Sequence, residues 1–117
     1  DDRDTKTGRM DLDKYYQLPE DMPSAFVCNC DLAASYLIRK LRANGYRVPE
    51  DISVVGFDNY LFPGLCDIGI TTYEVNIGEM ARRVVHKIVR KIANENYTAG
   101  VFIVDGHMVI KDSVTRK

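Results

Sequence analysis

The stretch from Val48 to Asn59, which reads Val-Pro-Glu-Asp-Ile-Ser-Val-Val-Gly-Phe-Asp-Asn, constrains the fold more than any other part of the chain. A proline turn leads into an apolar run with the length and composition of a buried strand, and the run ends at Gly56, Phe57 and Asp58. In open α/β sheets, ligands bind outside the carboxyl ends of the strands. The stretch therefore favours a ligand-binding edge at Asp58 over a catalytic centre.

A strand and a helix precede this stretch. The apolar run 25–29 is bounded by turn residues and predicts a buried strand, and Asp31 is expected to cap a helix behind it. Apolar residues then recur at the spacing of one helix face: Ala34, Leu37, Ile38 and Leu41. Gly45 is expected to end this helix near residue 44. A strand, a helix of this length and a second strand predict a parallel pair with a right-handed crossover.

The second half of the chain predicts another strand at 70–75 and a long helix at about 76–93. Asn76 is expected to cap this helix, with Glu79 three residues later as in a capping box. The most regular apolar stripe of the chain lies on this helix: Ile77, Met80, Ala81, Val84, Val85, Ile88 and Ile92. The pattern therefore predicts an open, mostly parallel α/β sheet flanked by helices.

Two further predictions concern the ends of the chain. The run 101–104 and the run 108–111 are expected to be strands joined by a turn at Asp105 and Gly106. A short helix is expected over 10–18, before Pro19.

Length and charge bound the kind of protein. The 117 residues suit one small domain or a piece of a larger one, and the abrupt polar start at Asp1 suggests a cut inside a longer protein. The net charge of −1 indicates no general attraction to nucleic acid or to an anionic membrane.

A set of basic residues on the long helix could form a nucleic-acid patch, but a solvated helix face is the favoured interpretation: Arg82, Arg83, Lys87, Arg90 and Lys91. No apolar run is long enough to span a membrane.

The cysteines indicate a reducing compartment, the cytoplasm, because an odd count of three argues against a disulfide framework. Cys28 and Cys30 would share one face of a strand, which leaves open a metal or redox pair, although small strand residues are the favoured interpretation. His86 and His107 have no partner at motif spacing. The sequence predicts no catalytic residue, no metal site and no cofactor, and therefore no enzyme.

Polar residues follow both strands of the predicted parallel pair. Cys30 and Asp31 come after the first strand, and Asp58 and Asn59 come after the second. Because the carboxyl ends of parallel strands meet at one edge, these side chains could together bind a small polyhydroxylated ligand. Asp31 could equally be a plain helix cap, and Asp58 could be a turn residue.

Several motifs resemble the lac-repressor family of bacterial transcription regulators over residues 22–113. They are Pro23-Ser24-Ala25-Phe26-Val27-Cys28, Asp31-Leu32-Ala33-Ala34, the segment from Leu41 to Gly45, the run from Val48 to Asp58, and Ile70-Thr71-Thr72-Tyr73. The resemblance implies part of an effector-sensing domain over 1–117, similar to periplasmic sugar-binding proteins. It corresponds to the later part of the C-terminal lobe, with the last crossover helix at about 76–93.

The resemblance also implies site residues and partners. A small effector, a sugar or a sugar derivative, would bind between two lobes of the full-length protein. Asp58 matches the family's effector-contacting aspartate, and Cys30 stands where the family has an effector-contacting asparagine. Operator DNA would be bound only through a headpiece that this chain lacks. The family also dimerises partly through the loop matching 59–69, which implies a homodimer with interface residues Tyr60, Leu61, Phe62 and Leu65.

Two other classes of protein stay open at this point. A periplasmic solute-binding protein would have the same fold, but it is expected to have few free cysteines. A phosphoacceptor receiver domain could use Asp58, but it also needs an acidic pair after its first strand, for which Asp31 alone is a poor substitute.

Overall fold

The computed structural model describes residue 4, residues 6–8 and residues 17–116. In this part of the chain the elements are β1 (Ala25–Val27), α1 (Asp31–Ala43), β2 (Ser53–Asp58), β3 (Thr71–Val75), α2 (Ile77–Ala93) and β4 (Gly106–Val109). Most of the helix expected over 10–18 lies outside the described residues.

The strands form one open sheet in the order β1-β2-β3-β4. The pairs β1–β2 and β2–β3 are parallel, and β4 returns antiparallel to β3. The predicted fold class, an open and mostly parallel α/β sheet with flanking helices, is confirmed. Because β1, β2 and β3 run in the same direction, their carboxyl ends lie along one edge of the sheet.

The core lies between α1 and one face of β2. Ile38, Leu41 and Val54 are completely buried, and Val48 and Ile52 complete this layer from the segment that leads into β2. The helix ends as its sequence predicts, because Gly45 takes a φ of 86°, which favours glycine.

Helix α2 differs from α1 in its packing. The predicted cap is confirmed, since the backbone N–H of Glu79 donates to Oδ1 of Asn76 at 3.0 Å. No residue of α2 is buried, however, and its apolar stripe is exposed: Ile77, Met80, Val84, Val85, Ile88, Val89 and Ile92 are 43 to 78% accessible. Across the described residues, no helix is both long and apolar enough to cross a membrane.

The prediction of a hairpin of two strands near the end of the chain is wrong. Residues 101–105 form no strand, and β4 runs from Gly106 to Val109, so the predicted turn residue Gly106 begins the strand itself. A strand needs a neighbouring strand to satisfy its backbone hydrogen bonds. Of the two predicted strands, only the second, at 108–111, overlaps a segment that pairs with β3. Glycine at 106 has a packing reason, because a Cβ there would lie 2.2 Å from the carbonyl oxygen of Glu74.

Candidate ligand-binding edge

Asp58 ends β2 at the carboxyl edge of the sheet. Its carboxylate is half-buried, and Oδ1 accepts a hydrogen bond from the backbone N–H of Tyr60 at 2.9 Å. The backbone turns sharply here, with positive φ angles of 92° at Asp58 and 51° at Asn59. Such angles are uncommon for residues other than glycine and occur often at functional sites.

Asn59 lies beside Asp58, but its side chain already has protein partners. Its Nδ2 donates to Oε2 of Glu74, and its Oδ1 accepts from Nζ of Lys111 at 2.6 Å. Both ends of the amide are therefore engaged within the chain. Asn59 would have to exchange one of these partners in order to bind a ligand.

Cys30, and not Asp31, is the N-cap of α1, so the predicted capping role of Asp31 is wrong. Cys30 is extended, with φ −160° and ψ 163°, and its Sγ accepts from the backbone N–H of Ala33 at 3.4 Å. Asp31 follows as the first helical residue, from which its carboxylate reaches beneath β2 instead of back to the helix N–H groups. The half-buried thiol of Cys30 stays near the end of β1.

Asp31 is 1% accessible and lies against Gly56. A Cβ on Gly56 would lie 2.0 Å from Oδ1 of Asp31, so any other residue at this position would have to displace the Asp31 carboxylate. Oδ1 has no hydrogen-bond partner. Burial raises the pKa of Asp31, and the negative charge of Asp58 raises it further, whereas the nearby Thr72 hydroxyl, the positive charge of Lys111 and the Phe57 backbone N–H act to lower this pKa.

Sequence reasoning did not identify Thr72, Glu74 or Lys111 as parts of this edge. Thr72 and Glu74 belong to β3, whose register places them opposite Gly56 and Asp58. Lys111 arrives from the far end of the chain, through the antiparallel return of β4. The clustering of Thr, Thr and Glu in the predicted strand 70–75 was the available signal, because polar residues in a central strand need polar partners.

The cysteines do not form a metal site with other residues in the described part of the chain. Cys28, Cys30 and Cys66 are half-buried and are not joined in disulfide bonds, and Cys28 and Cys66 pack against the hydrophobic core. Between 17 and 116, no cluster of three histidine, cysteine or acidic side chains could hold a metal ion. The interpretation of Cys28 as a small packing residue agrees with its contacts.

The loop after β2 presents aromatic groups to solvent. Tyr60 and Phe62 are 62% and 66% accessible and contact each other edge to face, with ring centroids 5.8 Å apart. Leu65 is also exposed, whereas Leu61 packs against the core. Three of the four residues expected at a dimer interface are therefore exposed to solvent, and the fourth, Leu61, is packed against the core.

The basic face of α2 is partly covered. The guanidinium of Arg83 and the ammonium of Lys87 lie 4.6 Å and 4.5 Å from the ring centre of Phe102. Lys87 also donates to the carbonyl oxygen of Gly100 at 2.6 Å. These cations fix the segment after α2 onto the helix, which agrees with a structural interpretation of the basic face.

The family follows from a model of the periplasmic binding protein-like domain, which matches residues 1–114. The chain belongs to this family. The "NTD biosynthesis operon regulator NtdR" of Bacillus subtilis is 32% identical over 95 residues, which are 80% of this chain and 29% of that protein. The chain therefore spans about a third of the length of the curated relatives it matches.

Solved structures give the same result. A LacI-type transcription regulator from Bifidobacterium animalis superposes with a TM-score of 0.72 at 30% identity, over 80% of this chain and 34% of that one. The transcriptional regulator CelR, solved as a cellobiose complex, superposes with a TM-score of 0.70 at 28% identity, over 77% of this chain and 28% of that one. The resemblance to the lac-repressor family is confirmed.

Proposed function

We propose that this chain is part of the effector-sensing domain of a cytoplasmic transcription repressor, and that Asp58 contacts the effector. The observation that carries the proposal is the position of Asp58, a half-buried carboxylate in a strained turn at the carboxyl edge of a parallel sheet. Ligands of open α/β folds bind at this edge. A regulator of this kind binds its ligand without converting it, so the chain is not an enzyme.

A sugar or sugar derivative is the proposed class of effector. One oxygen of Asp58 is held by the Tyr60 backbone, which orients the other as an acceptor for a ligand hydroxyl. Support comes from CelR, a similar regulator whose structure contains cellobiose. Cys30 and Asp31 change roles in this proposal: the Cys30 thiol borders the site, whereas Asp31 is too deeply buried to touch a ligand.

The binding cleft is proposed to need more of the protein than this chain. Ligand sites bury roughly 70–90% of a small ligand, and one sheet edge covers a sugar from one side only. We therefore expect the isolated chain to bind sugars with dissociation constants weaker than about 1 mM. Calorimetric titration with a panel of mono- and disaccharides tests this, and a sub-millimolar constant would contradict it.

The function itself is tested in a full-length regulator that carries this chain. Operator binding is measured by fluorescence anisotropy while candidate sugars are added. The proposal expects one sugar to change the operator affinity, and it expects Asp58→Ala to weaken that response. Glu50→Ala is a matched control, because Glu50 is an exposed acid in the turn before β2, away from the carboxyl edge. If none of the sugars changes the operator affinity, the proposed effector class is refuted.

The same regulator is proposed to be a homodimer that uses Tyr60, Phe62 and Leu65. These side chains form an exposed apolar group next to the ligand edge, and exposed groups of this kind often mark protein contacts. Sedimentation equilibrium of the regulator should give a dimer for the wild type. The double substitution Tyr60→Ser and Phe62→Ser should shift it toward monomer, and an unchanged dimer would exclude this interface.

A further inference from the structure

The turn that carries Asp58 has a backbone conformation that its own residues disfavour. Asp58 and Asn59 have positive φ angles of 92° and 51°, and neither is glycine. Such residues cost free energy and persist only where neighbouring groups fix them. One contact lies within the turn itself, where the backbone N–H of Tyr60 donates to Oδ1 of Asp58 at 2.9 Å. Asn59 connects the turn to more distant parts of the chain.

Three atoms of Asn59 are bound by two other segments. Its backbone N–H donates to Oγ1 of Thr72 at 3.3 Å, and its side-chain Nδ2 donates to Oε2 of Glu74. Its Oδ1 accepts from Nζ of Lys111 at 2.6 Å. Thr72 and Glu74 belong to β3, whereas Lys111 follows β4. The turn after β2 is therefore fixed both to the neighbouring strand and to the segment beyond the last strand.

The charges of the two side-chain partners fix the orientation of the Asn59 amide. An ammonium group only donates hydrogen bonds and an ionised carboxylate only accepts them, so the amide oxygen faces Lys111 and the amide nitrogen faces Glu74. A reversed amide would place two donors together at one end and two acceptors together at the other. Hydrogen bonds with a charged partner are also stronger than those between neutral groups. We call these three residues, Glu74, Asn59 and Lys111, the amide bridge.

Both ends of the amide bridge have a defined position in the sheet. Glu74 is the register partner of Asp58 on the adjacent parallel strand. Lys111 is fixed by the buried hydroxyl of Thr71, which accepts from its backbone N–H at 2.9 Å and donates to its carbonyl oxygen at 3.2 Å. Because both partners have defined positions, the bridge restrains Asn59 and, through it, the turn.

We propose that Lys111 and Glu74 are positioning residues of the ligand-binding edge, which hold the Asn59 amide and so fix the direction of the Asp58 carboxylate without touching the ligand. This inference rests on the proposed function, because it assigns these residues to the same site. It also gives Asn59 a role that suits its contacts. A side chain with both ends engaged orients its neighbour and does not itself bind the effector.

The first experiment needs no ligand. It measures hydrogen exchange of the Asn59 backbone amide in the full-length regulator, resolved by mass spectrometry with electron-transfer fragmentation. Lys111→Met removes the ammonium but keeps a chain of similar length, and it should speed this exchange about tenfold, the factor for loss of one charge-assisted hydrogen bond. Lys111→Arg keeps a cationic donor and should restore most of the protection. Lys91→Met is the matched control, because Lys91 is an exposed lysine near the end of α2 that donates to the Glu95 carbonyl.

The second experiment measures the operator response of the same variants to the panel of mono- and disaccharides. Lys111→Met should raise the sugar concentration for half-maximal response about tenfold, whereas Lys111→Arg should stay close to the wild type. The operator affinity without sugar should be unchanged in both, which separates an effect on the ligand edge from a general loss of structure. Lys91→Met should leave the response unchanged.

A double-mutant cycle with Asn59→Gly distinguishes positioning from direct ligand contact. Glycine adopts a positive φ without strain, so this substitution removes the amide bridge but allows the turn. If Lys111 acts only through Asn59, Lys111→Met in the Asn59→Gly background should change the half-maximal sugar concentration by less than about twofold. If Lys111 touched the ligand, its loss would have the same effect in both backgrounds.

Each outcome bears on the proposal. Unchanged Asn59 exchange in Lys111→Met, a response curve that coincides with the wild type, or an equal loss in both backgrounds of the cycle would overturn it. If Lys111→Met does not fold, Glu74→Met removes the other end of the bridge and is held to the same expectations for exchange and response. Failure of the wild type to respond to any sugar would refute the proposed function instead, and the exchange experiment distinguishes the two cases because it is done without ligand.

Discussion

The two helices within residues 17–116, α1 and α2, both have amphipathic sequences but opposite surroundings. Helix α1 buries seven residues against the sheet, among them Ile38 and Leu41 with no accessible surface. Helix α2 has the more regular apolar stripe but buries none of its residues. Ile88, at the middle of that stripe, is 53% accessible.

The difference shows how much can be inferred from an amphipathic stripe. The stripe indicates that one face of the helix packs against another apolar surface, but it does not indicate which surface that is. For α1 the partner is β2 in the same chain. The far face of the sheet is also open, with Phe57 at 43% and Met108 at 48% accessibility. A chain that spans about a third of its relatives is expected to leave such faces uncovered.

The largest expected effect is a difference between two isoleucine truncations. Ile38→Ala removes a completely buried side chain and should lower the free energy of unfolding by about 2–5 kcal/mol. Ile88→Ala makes the same change on α2 and should alter it by no more than about 0.5 kcal/mol. Urea unfolding of both variants, followed by circular dichroism, tests this. Equal destabilisation would mean that α2 is buried in solution.

The next effect concerns the contact between Gly56 and Asp31. Gly56→Ala places a Cβ 2.0 Å from Oδ1 of Asp31 and 3.1 Å from Ile70, and it should cost about 1–3 kcal/mol through overpacking. Part of this loss should be recovered in the Asp31→Ala background, because the closer of the two contacts is gone. Urea unfolding of the two single variants and the double variant measures this coupling. Strict additivity would show that the two residues do not meet.

Much of this fold could be predicted from local patterns. The apolar spacing from Ala34 to Leu41 gave α1, the capping box at Asn76 gave the start of α2, and the run before Asp58 gave β2. Each of these signals depends on residues within one or two turns of each other, or on a short alternating run. The false strand at 101–104 came from the same kind of signal, because propensity does not reveal whether a partner strand is present.

The candidate site was only partly predictable, for a related reason. Asp58 was identified because it follows its strand directly. Lys111 is 52 residues away from Asn59, to which it donates, and only the sheet register brings them together. The true role of Asp31 depended on Gly56, whose missing side chain leaves room for the carboxylate. Contacts between distant segments are set by tertiary packing, and the sequence around a polar residue does not show which distant partner it meets.

A smaller effect on stability should follow pH. Burial raises the pKa of Asp31 above its ordinary value of 3.8, so the folded chain holds this proton more tightly than the unfolded chain. The contribution of Asp31 to stability is therefore most favourable below pH 3.8 and falls as pH rises through the raised pKa. Asp31→Asn should gain stability relative to the wild type across that window, in urea unfolding at several pH values. A constant difference would contradict the raised pKa.

The most direct test of the account is the effector response of Asp58→Ala in the full-length regulator. Asp58 accepts one backbone hydrogen bond in a turn at the end of β2, so its removal should lower the free energy of unfolding by about 0.5–1.5 kcal/mol, which leaves a typical domain folded. Loss of a charged hydrogen-bonding partner should cost about 1.5–3 kcal/mol of ligand binding, which is roughly a ten- to hundredfold shift in the sugar concentration for half-maximal operator response. The account predicts this shift in a stably folded protein. A response curve that coincides with the wild type would show that the edge at Asp58 does not bind the effector.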